Sequence, residues 1–134
     1  MISRDSIEIA SKLSVPRLWN VFLLRASFIL GKYFKTPVVW GTPYAASIEP
    51  TTACNLGCPE CPSGLKQFTR ETGRLPVTEN KNMLDQIGSN LFYINYYFQG
   101  EPFLNPQFLE LIKEAHSRKI YTATSTNAHF ISDK

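Results

Sequence analysis

Cysteine is scarce in this sequence: three in 134 residues, all between positions 54 and 61. An odd number packed so tightly excludes a disulfide framework. It points instead to free thiols in a reducing compartment, where metal binding is the leading use. Paired histidines are missing as well. A structural zinc site would draw its fourth ligand from a second Cys-x2-Cys or a paired His, and the two histidines, His116 and His129, stand apart. Neither sign of charge dominates: 14 basic against 11 acidic residues leave +3, and no run of five like charges reads as a nucleic-acid arm. No apolar run reaches the roughly 20 residues of a membrane span. The opening "MISRDSIEIASKLS" is polar throughout, so no secretory leader is expected and the cytoplasm is the expected compartment. At 43% hydrophobic residues, the length supports one small core and not two domains.

What is present begins with "LWNVFLLRASFILGKY", residues 18–33. At helical spacing Trp19, Phe22, Leu23, Ala26, Ile29, Leu30 and Tyr33 share a face, with Arg17, Arg25 and Lys32 opposite. The leading expectation is an amphipathic helix whose apolar face packs on the fold; a partner chain or a missing segment is the second occupant, and a membrane surface the least expected. Pro37, Gly41 and Pro43 mark an irregular connection, so residues 1–43 read as a helical extension and linker, and 44–134 as the domain proper.

From there strand and helix patterns alternate. "YAASIEP" (44–50) reads as a first strand, "VTENKNMLDQIG" as a helix capped by Thr78 with Gly88 at its end, and "LFYINYYF" (91–98) as a strand buried on both faces. "NPQFLELIKEAHSRK" reads as a helix with Asn105 as cap, Pro106 at its first position and a Glu114–Arg118 pair, and "IYTATST" (120–126) as a third strand. The order β-α-β-α-β predicts an α/β fold with parallel strands, whose chemistry collects at their carboxyl ends. The cysteine loop, "QGEP" and "TNAH" all fall at that edge. Ser132 and Asp133 look like the start of another helix, so the chain is expected to be truncated.

Cys54, Cys58 and Cys61 form Cys-x3-Cys-x2-Cys, with Gly57 expected to ease a tight bend and Pro59 to stiffen the return. A 4Fe-4S cluster normally takes four cysteines, so three leave one iron open. "CNLGCPEC" resembles the cluster loop of the radical S-adenosylmethionine superfamily, and "CPECPSG" resembles members with a C-terminal SPASM-type auxiliary-cluster domain that modify peptides; Glu60 stands where an aromatic residue is frequent. "YFQGEP" is similar to the superfamily's Gly-Gly-Glu-Pro motif, with Gln99 in place of the first glycine, and "TSTNAH" to its Thr-Asn-Gly run, with Ala128 in place of glycine.

The resemblance, over about residues 44–130, implies the start of a partial (βα)6 barrel. It implies a 4Fe-4S cluster on Cys54, Cys58 and Cys61, and S-adenosylmethionine bound by Gly100, Glu101 and Asn127. It further implies reductive cleavage to a 5′-deoxyadenosyl radical that abstracts hydrogen from a substrate, a peptide in one subgroup, with a flavodoxin or ferredoxin as electron donor. No side chain is assigned an acid–base role. From the residues alone Asn127 equally suits an Asx-turn, His129 is read as a turn residue and His116 as helix surface. A chain limited to these three strands is expected to bind a cluster poorly and to show little activity. The alternatives are a non-catalytic iron-sulfur or zinc module, and an interaction piece acting through the helix at 18–33.

Overall fold

A computed structural model describes residues 4–131. Two helices come first, α1 (Arg4–Ser11) and α2 (Val15–Phe34), followed by β1 (Ala45–Ser47), α3 (Val77–Ile87), β2 (Tyr93–Asn95), a 3-10 turn (Pro102–Leu104), α4 (Phe108–Ser117) and β3 (Tyr121–Ala123). The strands form one parallel sheet in the order β1-β2-β3, with Ala46 opposite Ile94 and Ile94 opposite Thr122. The α/β class, the parallel strands and the leading helix therefore match the sequence expectation. The regular strands are shorter than expected. Their ladders nevertheless run on, with Ile48 N–H donating to Asn95 O at 2.8 Å and Tyr96 N–H to Ala123 O at 2.8 Å. Ser132 and Asp133, read as a further helix start, lie outside the described residues.

One face of the sheet carries the core. Ile48, Ile94, Tyr96 and Ile120 pack with Leu84 of α3 and with Phe108, Leu111 and Ala115 of α4. Each of the Ile, Leu and Phe side chains contributes roughly 1.5–3 kcal/mol by leaving water. The expectation that 91–98 is buried on both faces is corrected: Ile94 and Tyr96 are buried, whereas Tyr93 and Asn95 are half-buried and Tyr97 and Phe98 exposed. The core helices pack on the Ile94 side, so period-two alternation survives beneath an almost continuous apolar string.

Two cap expectations are also corrected. Pro76, not Thr78, precedes α3, and no side chain caps that end. Asn105 lies ahead of α4, where Gln107 is the N-cap. Asn105 is instead buried, donating to Pro50 O and Leu75 O at 2.9 Å each while its Oδ1 accepts from Gln107 N–H at 3.0 Å. It thereby ties the end of β1 to the start of α4. The Glu114–Arg118 pair forms at 2.7 Å, and Asp85 of α3 joins it at 2.7 Å.

The apolar face of α2 was expected to pack inward, and it points outward. The helix meets the fold through polar residues: Arg17, Asn20 and Ser27 are its buried positions, while Trp19, Phe22, Ile29 and Tyr33 are exposed. Arg17 donates to the carbonyls of Lys12, Ser89, Arg118 and Lys119 at 2.6–3.3 Å. Three of those carbonyls belong to the loops entering β2 and β3. A guanidinium with several fixed donors satisfies loop carbonyls that an apolar side chain would leave bare.

Deep in the core the Tyr96 hydroxyl donates to Asn80 Oδ1 at 2.8 Å, and burial pushes its pKa up to about 12. Tyr96→Phe leaves the buried Asn80 oxygen without this donor and is expected to cost about 1–3 kcal/mol in urea denaturation at neutral pH. Because the folded pKa exceeds the ordinary value of about 10, the stability held in neutral Tyr96 is full below pH ~10 and is lost as pH rises towards 12. The Phe variant should lack that alkaline decline.

Candidate cofactor site at the strand ends

The loop after β1 is closed at its neck. Thr51 Oγ1 donates to Gly73 O at 2.8 Å, Gly73 N–H to Thr52 Oγ1 at 2.9 Å, and Thr51 pairs antiparallel with Arg74. Residues 53–72 thus form a loop held at both ends, with all three cysteines inside. The thiols are free; Cys54 and Cys61 are half-buried and Cys58 is exposed.

Backbone contact joins this loop to the end of β2. Glu101 N–H donates to Ala53 O at 2.7 Å. Gly100 has φ +75°, and a Cβ there would run into Thr51 O and stand 2.7 Å from Ala53 O. Only glycine fits both the left-handed backbone and the close approach. Ser63 adds a second tie, accepting from Gly100 N–H at 3.0 Å and donating to Gln99 Oε1 at 3.0 Å; Cys61 Sγ lies 3.7 Å from the same Gln99 oxygen. Gln99, which replaces a glycine of the motif, therefore braces the cysteine loop. Inside the loop the indispensable glycine is Gly64 and not Gly57: a Cβ on Gly64 would meet Cys58 O at 2.6 Å, whereas Gly57 has open space.

Glu101 is buried, yet its carboxylate is well supplied. Oε1 accepts from Phe103 N–H at 3.2 Å and Thr126 Oγ1 at 2.6 Å, and Oε2 from Asn127 N–H at 2.8 Å. Three of about four acceptor positions are filled, which leaves room for one external donor. Its backbone is extended at φ −110° and ψ 113°, as a residue before proline should be.

The third strand end closes the group. Asn127 Oδ1 accepts from His129 N–H at 3.1 Å, which is the Asx-turn, while its Nδ2 donates to Asn55 Oδ1 at 2.8 Å. Asn55 Nδ2 and His129 Nδ1 are 3.0 Å apart, so the turn grips the cysteine loop directly. Ala128 takes the left-handed backbone, φ 64°, at the position where the motif has glycine. His116, the other histidine, lies exposed in the last turn of α4, away from these residues.

A cavity of about 290 Å³ opens between the three strand ends, lined by Cys54, Tyr97, Gly100, Glu101, Thr126 and Asn127 among others. Backbone N–H groups of Gly64 and then Ser63 hold the Cys61 thiol below its ordinary pKa, with burial opposing. Donor chemistry thus suits a thiolate-bound cluster: free thiols, one biased towards thiolate, beside a cavity with a buried carboxylate. The sulfurs themselves are not gathered, since among the described residues no three His, Cys, Asp or Glu side chains are positioned to hold one metal ion. The strand ends bring Cys54, Gly100, Glu101 and Asn127 together, while Cys61 reaches this group through Gln99 and Cys58 only through the loop.

No known family profile matches the chain. It is 34% identical over 86 residues to the mycofactocin maturase MftC of Mycobacterium tuberculosis, covering 63% of this chain and 21% of that protein. It is 30% identical over 100 residues to the PqqA peptide cyclase of Bradyrhizobium diazoefficiens, covering 75% of this chain and 26% of that protein. The crystal structure of BtrN in complex with AdoMet and 2-DOIA superposes with a TM-score of 0.54 at 20% identity, over 66% of this chain and 37% of BtrN, a likeness of fold. These likenesses bear out the resemblance to the radical S-adenosylmethionine superfamily over the N-terminal part of its core. It spans about a fifth to a quarter of the length of the curated relatives it matches. Within the superfamily's motifs, Ser63, Asn55 and Thr126 escaped the sequence reading. "CPSG" carried Ser63 in plain view, but only a three-dimensional contact assigns its hydroxyl to Gly100.

Two substitutions separate these ties. Gly100→Ala is expected to push the loop off the strand end and abolish iron-sulfide incorporation. Ser63→Ala, which removes only the tie beside the thiols, should weaken iron retention about 10–100-fold in a chelator competition.

Proposed function

We propose that this chain provides the cluster loop and the methionine-binding end of a radical S-adenosylmethionine enzyme that acts by hydrogen abstraction. The observation that supports it is the shared cavity: Cys54, Gly100, Glu101 and Asn127, from three strand ends, line one opening. In this reading Cys54, Cys58 and Cys61 hold a 4Fe-4S cluster, the loop closing to gather the sulfurs. A cluster held there would supply the single electron needed for reductive cleavage of the sulfonium of S-adenosylmethionine.

The chain's own groups bind and orient. Glu101 presents its remaining acceptor position to the cofactor's ammonium, with Thr126 Oγ1 and Asn127 N–H holding the carboxylate still. Gly100 keeps the strand end close under the loop, which holds Cys54 and the Glu101 carboxylate on one cavity. Asn127 contributes through its turn and its hold on Asn55. No protein acid or base is required.

The two relatives' names, a maturase and a peptide cyclase, support a peptide as the substrate class. A flavodoxin or ferredoxin is the proposed electron donor, and the cytoplasm the proposed compartment, where thiols stay reduced. Residues 44–134 are the proposed core portion and 1–43 an extension.

Anaerobic reconstitution with iron and sulfide tests this reading. In keeping with weak cluster binding by a chain of three strands, the expected result is a substoichiometric brown colour whose absorption changes on adding S-adenosylmethionine and which is lost in Cys58→Ala. A colourless, zinc-loaded protein would overturn it in favour of a non-catalytic metal module. Glu101→Gln should keep the colour and weaken cofactor binding by roughly ten- to a hundredfold, the loss of a charged hydrogen bond of about 1.5–3 kcal/mol.

A further inference from the structure

Helix α2 is fixed in rotation from its polar side. Besides the four carbonyls held by Arg17, Asn20 pairs with Thr42 twice, accepting its N–H at 2.9 Å and donating to its carbonyl at 2.8 Å. Gly41 lies so close that a Cβ there would stand 2.9 Å from Asn20 Oδ1. These contacts leave the opposite face no freedom to turn inward. Val15, Leu18, Trp19, Phe22, Ile29 and Tyr33 are each more than half exposed, with Trp19 and Phe22 stacked at 5.1 Å.

Charge on the segment is one-sided. Residues 12–35 contain Lys12, Arg17, Arg25, Lys32 and Lys35 and no acidic residue. Arg17 is consumed by the loop carbonyls, but Arg25, Lys32 and Lys35 are exposed, and the first two, which the sequence places opposite the apolar face, flank the exposed strip beside Leu18 at helical spacing. An aromatic-rich apolar strip edged by cations complements an interface with hydrocarbon below and phosphate above. Among the described residues no single helix is long and apolar enough to cross a membrane; α1 and α2 reach that length and composition only as a pair, bent by 94° at their junction. A surface-lying arrangement suits this geometry better than a crossing one.

We propose that α2 is an interfacial anchor that lays its Trp19–Phe22–Ile29–Tyr33 face on an anionic lipid bilayer, with Arg25 and Lys32 at the headgroup phosphates. At 20 residues the helix is about 30 Å long. Because Arg17 grips the loops entering β2 and β3, the anchor holds the amino ends of the strands towards the membrane and leaves the cysteine edge facing away. This inference is independent of the cluster chemistry.

Co-sedimentation of the full chain with vesicles tests it, using equal parts phosphatidylglycerol and phosphatidylcholine against phosphatidylcholine alone. Binding to the anionic vesicles, weakened by salt, is expected. Arg25→Gln with Lys32→Gln should reduce it on the order of tenfold, and Phe22→Ser with Ile29→Ser should abolish it while circular dichroism is unchanged. In a Trp40→Phe background the emission of Trp19 should shift to the blue on binding. Absence of anionic-vesicle binding by the folded wild type would overturn the proposal. So would a lipid-independent dimer in sedimentation velocity that the Phe22 and Ile29 changes dissolve, because a second copy would then be the occupant.

Discussion

Everything at the functional edge depends on two stretches of backbone coming closer than side chains allow. Gly100 passes under Thr51 and Ala53 with a left-handed φ, and Glu101 N–H is anchored on Ala53 O. That approach sets where the cysteine loop begins relative to the end of β2. Ser63, Gln99 and the Asn127–Asn55 pair then fasten the rest of the loop to the same edge. A loop of this length would otherwise be among the more mobile parts of a domain, and a site built from it needs such supports to hold geometry.

The order of strands and helices was legible because periodicity reports burial on one side of an element, and the motifs were legible because few residue types suit their backbone. Glu101 extended before Pro102 and Gly100 at a positive φ are both written locally. What failed to show in the sequence were choices among equals. The face of α2 is a case: an apolar stripe says that a helix has a face to cover, not what covers it. The decision rests with Arg17 and Asn20, whose partners lie as far away as Lys119 and Thr42. Asn105 misled for a similar reason. A cap-forming residue beside Pro106 looks local, whereas its amide reaches Pro50 and Leu75 across the fold.

The cysteine loop sits between these extremes. Its three thiols announce a metal ligand set by spacing, while its brace was hidden in Ser63 and Gln99, residues without chemistry of their own. Gln99 shows how a departure from a motif can be absorbed: where the motif has glycine, an amide oxygen takes the Ser63 hydroxyl and faces the Cys61 sulfur. The substitution thus adds a strut at the strand end. Under the proposed function, gathering the sulfurs onto one metal would accompany binding of the ligand, in keeping with the coupling of metal binding to local folding.

The central claim of the proposal is that the Cys54 thiol and the Glu101 carboxylate line one cavity, so that a cofactor held at Glu101 would reach a cluster on the cysteine loop. Electron–nuclear double resonance on the reduced, reconstituted protein with S-adenosylmethionine labelled at its amino nitrogen measures this contact directly. A resolved coupling between that nitrogen and the cluster spin is the predicted result. A cluster that forms and a cofactor that binds, with no coupling between them, would contradict the account.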